Sequence, residues 1–149
     1  MLAAMAVALL VVSGVALAIV KECPRDCTGT DNPDRLSGSA NPQKMKGLGG
    51  NDSISGYRGD DIVDGDGGND AVYGGLGDDL IYGDAGNDYA EGDFGHDYID
   101  TGRGRDKVAA RDGYKDRIVC GQGNRDIVYK DSFDVTRGCE RTVNQKPSP

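Results

Sequence analysis

The sequence predicts an all-β solenoid in which two nine-residue windows build one coil. Three observations carry that reading. From Gly47 to Ala109 glycine and aspartate are too dense for an ordinary helix or strand, because glycine loses the most backbone freedom on folding and neighbouring carboxylates repel. The same stretch repeats every nine residues without a gap. One apolar residue recurs at one fixed place in each nine, enough for a thin stacked core and too little for a globular one.

The chain has 149 residues, 24 of them glycine, no tryptophan and a net charge of −8. The charge is uneven: Gly47 to Ala109 holds 15 acidic and 4 basic residues. That central acidity disfavours nucleic acid and anionic membranes as partners and suits a cation.

The first element is "MLAAMAVALLVVSGVALAIV", uncharged up to Lys21. Ser13-Gly14 loosens a helix, and Ala16-Leu17-Ala18 reads as an A-x-A cleavage site. A signal peptide over residues 1–18, cut after Ala18, is expected, and with it a secreted, extracellular protein. An uncleaved N-terminal anchor is the other reading, since about 20 apolar residues can span a bilayer. Residues 19–28 are expected as a short leader. In the exported part lie Cys23, Cys27, Cys120 and Cys139. An even count in a secreted chain favours disulfides. Of three connectivities, pairing of neighbours, Cys23 with Cys27 and Cys120 with Cys139, is preferred. Zinc is disfavoured, because Cys23-x3-Cys27 has no nearby histidine and His96 is the sole histidine.

The repeat occupies residues 29–109. Its nine windows run from GTDNPDRLS at Gly29 through GLGGNDSIS, GYRGDDIVD, GDGGNDAVY, GGLGDDLIY, GDAGNDYAE and GDFGHDYID to TGRGRDKVA. Position one is glycine except at Thr101, and position four is glycine from Gly50 to Gly104, with Asn32 and Asn41 before it. Position six is Asp except at Gln43, and position eight is always apolar, from Leu36 and Met45 to Ile99 and Val108. Glycines at one and four supply positive φ or close backbone approach. Positions one to six therefore make a turn. Positions seven to nine make a short strand with one inward residue, the eighth.

Alternate windows fall on opposite edges of the coil. Asp34, Asp52, Asp70, Asp88 and Asp106 line one edge; Asp61, Asp79 and Asp97 line the other, above Gln43. Successive members stand one strand spacing apart, about 4.8 Å. Two bare carboxylates at that distance repel by about 1 to 3.5 kcal/mol. A cation between them reverses the sign. Calcium fits, since it takes 6 to 8 oxygens in flexible geometry. Magnesium fits less well because it demands a near-ideal octahedron. The candidate metal ligands are Asp52, Asp61, Asp70, Asp79, Asp88, Asp97 and Asp106, with the turn glycines Gly50, Gly59, Gly65, Gly68, Gly74, Gly77, Gly83, Gly86, Gly92 and Gly95 completing the shells. Several calcium ions are expected. One inward residue per nine offsets little of the ordering cost of the rest, so folding is expected to be coupled to the metal.

The windows match G-G-x-G-x-D-x-U-x, and six in succession, Gly47 to Asp100, match at positions one, four and six. The sequence strongly resembles the hemolysin-type (RTX) calcium-binding repeat family. The resemblance implies a right-handed parallel β-roll with calcium in the turns between neighbouring coils. It also implies secretion and calcium-triggered folding outside the cell. Pro33, Pro42 and Gln43 depart from the pattern and put the first coil's site in doubt. Thr101 weakens the last window.

After Ala109 the period slips. Asp116-Arg117-Ile118 and Asp126-Ile127-Val128 recur ten apart, and Asp134-Val135 follows eight further on. Residues 110–143 are expected as degenerate coils and a C-terminal cap closed by Cys120–Cys139, and residues 144–149 as a disordered tail.

An enzyme is not expected. H-E-x-x-H, G-x-S-x-G and G-x-x-x-x-G-K-[ST] are all absent, and the repeats follow the expected cleavage site too closely to leave room for a catalytic domain. Paired carboxylates such as Asp60-Asp61 and Asp78-Asp79 fit turn and metal roles better than acid–base chemistry. "DGDGGND", Asp64 to Asp70, resembles an EF-hand loop but is explained by the nine-residue register. His96 should face outward. The row Asn51, Asn69, Asn87 makes a repetitive ladder, but no threonine row accompanies it as in ice-binding rolls. The expected function is a secreted, non-enzymatic calcium-binding β-roll. The alternative is a calcium-stabilised adhesion or carbohydrate-binding module at the cell surface, using Tyr57, Tyr73, Tyr82, Tyr89, Phe94 and Tyr98 toward a glycan or protein.

Overall fold

Period-two alternation over short apolar steps, broken by glycine every nine residues, leaves the chain no route but to wind. The computed structural model describes residues 20–123 and 125–144. The expected export segment 1–18 and residues 145–149 of the expected tail lie outside the described residues. Among the described residues there are strands and turns and no helix.

Two parallel sheets face each other. One carries eight strands in the order β1 (Val20–Glu22), β3 (Arg35–Ser37), β5 (Ser53–Arg58), β7 (Ala71–Leu76), β9 (Tyr89–Phe94), β11 (Lys107–Ala110), β13 (Ile127–Lys130) and β15 (Arg141–Asn144). The other carries seven: β2 (Cys27–Thr28), β4 (Lys44–Lys46), β6 (Ile62–Asp64), β8 (Leu80–Tyr82), β10 (Tyr98–Asp100), β12 (Arg117–Val119) and β14 (Val135–Arg137). Each strand pairs with the strand two elements away, so the chain alternates between sheets and climbs one coil per pair. The architecture is a parallel β-roll with two windows per coil.

The register places the eighth positions on top of one another: Ile54 pairs with Val72, Val72 with Ala90 and Ala90 with Val108 in one sheet; Met45 with Val63, Val63 with Ile81 and Ile81 with Ile99 in the other. All of these side chains are buried. Together they form the single stacked core, extended by Ile118 and Val128.

Three features differ from the expected layout. The first is strand length. Strands β4, β6, β8 and β10 have the expected three residues, but β5, β7 and β9 have six, running into positions one to three of the next window. There Tyr57 pairs with Gly75 and Gly75 with Asp93. At the opposite turns the same continuation shrinks to isolated bridges, Gly49 to Gly67 to Ala85 to Arg103.

The second concerns φ. Position two, not position one, is left-handed: Leu48 at 82°, Tyr57 at 75°, Asp66 at 69°, Asp84 at 67° and Asp93 at 65°. Position four is left-handed as expected, for example Gly77 at 139°. Position-one glycines are needed for space instead. A Cβ at Gly83 would stand 2.7 Å from Asp88 Oδ2 and 2.8 Å from the Thr101 carbonyl oxygen.

The third is extent. The segment expected as a leader supplies β1 and β2 to the two sheets, closed by a Cys23–Cys27 disulfide. At the other end β11 to β15 continue the parallel pairing through the slipped period, closed by Cys120–Cys139. Both disulfides are the neighbour pairs.

Candidate metal centre

The sixth-position aspartates form two columns, one along each edge of the roll. In the first, the backbone N–H of each member donates to Oδ1 of the next: Asp34 to Asp52, Asp52 to Asp70, Asp70 to Asp88, Asp88 to Asp106 and Asp106 to Asp126, at 2.7–2.9 Å. In the second, Gln43 donates to Asp61, Asp61 to Asp79, Asp79 to Asp97, Asp97 to Asp116 and Asp116 to Asp134, at 2.7–3.0 Å. The pattern reaches Asp116, Asp126 and Asp134, which the slipped period concealed as column members. Each carboxylate is buried.

Oδ1 thus staples one coil to the next. Oδ2 has a different situation. In Asp52, Asp61, Asp70, Asp79, Asp88, Asp97, Asp106, Asp116 and Asp126 this oxygen is shielded from solvent and has no hydrogen-bond partner. Buried polar atoms are almost always paired, because leaving one unpaired costs about 1–3 kcal/mol. Nine in register mark places where a positive charge would be stabilised. A carbonyl oxygen borders each of four of them. The point where a Cβ would sit on Gly56 is flanked by Asp61 Oδ2 and by the carbonyl oxygen of Gly74 one coil on. The same pairing recurs at Gly47 (Asp52 with Gly65 O), Gly74 (Asp79 with Gly92 O) and Gly83 (Asp88 with Thr101 O). Carboxylate and carbonyl oxygens, with no nitrogen or sulfur, are the donor set of a hard cation such as calcium.

At three of the four column ends the chain meets the side chain with its own hydrogen-bonding groups. Asp34 Oδ2 accepts from Thr30 N at 2.6 Å and Thr30 Oγ1 at 3.0 Å. Gln43 presents an amide, whose Nε2 donates to the carbonyls of Cys23 and Arg25. Asp134 Oδ2 accepts from Asp131 N at 2.9 Å. Thr30 and the Gln43 amide thus bring hydrogen-bond donors into the roll's first coil. Thr101 is buried at position one, putting a Cβ where the other windows have none.

Burial pushes six of the column carboxyls well above the usual carboxylate range. Asp61, Asp88 and Asp116 rise to about 7, Asp70 and Asp79 to about 6, and Asp97 to about 8. Desolvation is the largest cause in each, partly offset by the backbone N–H that each accepts.

The glycines of the expected shells divide by position. Gly65, Gly74, Gly83 and Gly92, at position one, border the carboxylate oxygens directly. At position four, Gly68, Gly77, Gly86 and Gly95 stack instead on the carbonyls of Gly50, Gly59, Gly68 and Gly77 through the left-handed turn, while Gly50 and Gly59 lie on the backbone at Asn32-Pro33 and Asn41-Pro42. Position-five side chains run a second, outer ladder of opposite sense: Asn69 N donates to Asn51 Oδ1, Asn87 N to Asn69 Oδ1, and His96 N to Asp78 Oδ1. His96 is exposed, as expected. One acid cluster the sequence did not reveal, Asp64, Asp66 and Asp84, is met by Lys46, whose Nζ lies 3.0 Å from Asp64 and 2.9 Å from Asp66.

Fold and site together define a parallel β-roll with stacked carboxylate rows that also staple its backbone. Residues 44–72 and 73–108 match the family model of the RTX calcium-binding nonapeptide repeat. Over residues 44–108 the chain is thus similar to a calcium-binding repeat family. No curated protein matches the chain.

Proposed function

We propose that this is a secreted, non-enzymatic protein whose β-roll takes up several calcium ions outside the cell and folds as it does so. The observation that carries the reading is the row of buried, partnerless Oδ2 atoms between coils. The carboxylates Asp52, Asp61, Asp70, Asp79, Asp88, Asp97 and Asp106 would hold the ions, with glycine carbonyls beside them. Bound calcium supplies positive charge to oxygens that otherwise repel and lack donors. The chain's own part is to fix those oxygens by spending Oδ1 on the neighbouring coil's N–H.

Export is supported by the apolar segment ending in Ala16-Leu17-Ala18 and by two disulfides, which persist in oxidising compartments. Extracellular calcium modules bind at about 0.1 to 1 mM, so the chain would stay loose before export and set after it. The adhesion reading has less support. Tyr73 and Tyr89, and Tyr82 and Tyr98, pack against each other as half-buried tilted pairs. Lys107 and Arg117 cover Tyr89 and Tyr98.

Circular dichroism of the mature protein during a calcium titration is the test. The expected result is a coil-to-β transition near millimolar calcium, reversed by chelator. A full β spectrum in EDTA, or an unchanged transition after Asp70, Asp79 and Asp88 are all replaced by alanine, would overturn it.

A further inference from the structure

The turn between β11 and β12 departs from the repeat in a way that builds something new. Asp106 and Asp116 stand ten apart, so this window holds one residue more than the nine of the repeat. The longer turn carries Asp112. Its Oδ1 accepts the N–H of Tyr114 at 2.9 Å. Gly113 takes a left-handed φ of 90° and donates to Asp131 Oδ2 at 2.9 Å in the next turn. The loop is thereby fixed from both sides, and it brings Asp112 to the column pair Asp97 and Asp116.

Carboxylate oxygens of all three residues lie within 4.8 Å of one another. Asp97 and Asp116 are 2 % and 1 % exposed. Each of the three has spent Oδ1 on a backbone N–H, and each leaves an Oδ2 that is shielded and without a partner. Among the described residues no lysine or arginine forms an ion pair with any of them, in contrast to the cluster that Lys46 serves. The gaps between ordinary repeat windows bring two carboxylates together; this one brings three.

We propose that Asp112, which the nonapeptide pattern does not supply, joins Asp97 and Asp116 in a three-carboxylate calcium site that fills at lower free calcium than the other repeat gaps. The inference rests on the calcium reading above. Calcium affinity rises with the number of charged ligands and the rigidity of the site. A third carboxylate on a loop held at two points supplies both.

Asp112→Asn is the discriminating variant, because the amide keeps the Oδ1 acceptor for Tyr114 N–H and removes only the charge. Asp78→Asn is the matched control: the same charge change, on an outer-ladder residue that keeps its acceptor for His96 N–H. Each disulfide-intact protein is titrated with calcium alone by isothermal calorimetry, with circular dichroism in parallel. The wild type and Asp78→Asn should show one equivalent taken up roughly tenfold or more tighter than the rest. In Asp112→Asn that step should weaken to merge with the others, while the later coil-to-β transition persists. A tight step unchanged in Asp112→Asn, or no tight step in the wild type, overturns this site and leaves the general reading standing if the transition still depends on calcium. Neither calcium uptake nor a transition in any of the proteins would overturn both.

Discussion

An aspartate in this roll does two jobs with two oxygens. Asp79 Oδ1 accepts the N–H of Asp61, while Asp79 Oδ2 waits beside the carbonyl of Gly92. The glycine opposite is selected by volume at position one, and by φ and volume together at position four. That distinction is testable with alanine. Gly83→Ala has no left-handed strain to overcome, but its Cβ would enter the space of Asp88 Oδ2 and Thr101 O. It is expected to cost about 1–3 kcal/mol of overpacking and to lose calcium at that gap. Gly138→Ala meets nothing closer than 3.6 Å and pays only for its φ of 74°, about 1–2 kcal/mol. Urea melts at saturating calcium with calcium stoichiometry separate the two: both lower the midpoint, and only Gly83→Ala lowers the stoichiometry.

At the scale of elements, each coil is stapled three ways: through ladder hydrogen bonds, through position-six Oδ1 in one sense and through position-five side chains in the other. A solenoid's end coils have a neighbour on one side only, so they need closing. Here Cys23–Cys27 and Cys120–Cys139 sit at the two ends, and Cys23 and Cys120 are part of the buried core. The C-terminal bond spans 19 residues and the N-terminal one 4. Chain-entropy arguments give about 3 kcal/mol for the longer loop and about 2 for the shorter. Replacing Cys120 and Cys139 by alanine should therefore raise the calcium concentration needed for folding more than replacing Cys23 and Cys27. Calcium midpoints by circular dichroism check the order; equal midpoints would remove the cap's special role.

For the molecule as a whole, the proposed calcium sites make proton and calcium competitors for the same columns. In the metal-free fold burial raises the carboxyls of Asp61, Asp70, Asp79, Asp88, Asp97 and Asp116 to about 6 to 8, against 3.8 in the open chain. The folded state then binds more protons than the unfolded state, so metal-free stability falls as pH rises through that window. Below about pH 4 both states are protonated and the penalty disappears. With calcium bound the sign reverses, since ligation needs the ionised form and protons displace the ion. In EDTA, β content should be higher at pH 5 than at pH 8; in calcium it should be higher at pH 8. A pH-independent spectrum in EDTA would show that the columns do not titrate in the fold.

The repeat in the sequence determined the winding, the stacked eighth position, both edge columns from Asp34 to Asp106, and the reason a cation belongs between coils. It could do so because a strict nine-residue period converts residue number directly into position in space. Where the period slips, that conversion fails. Asp116, Asp126 and Asp134 join the columns only because parallel pairing absorbs the extra residues, and Asp112 reaches Asp97 only because one such residue bulges toward the column. The left-handed second position was equally hidden, since Leu48 and Tyr57 adopt it under the constraint of the coils above and below rather than by their own preference. Local chemistry set the rungs; contact between coils decided which oxygens face one another and which are left without a partner.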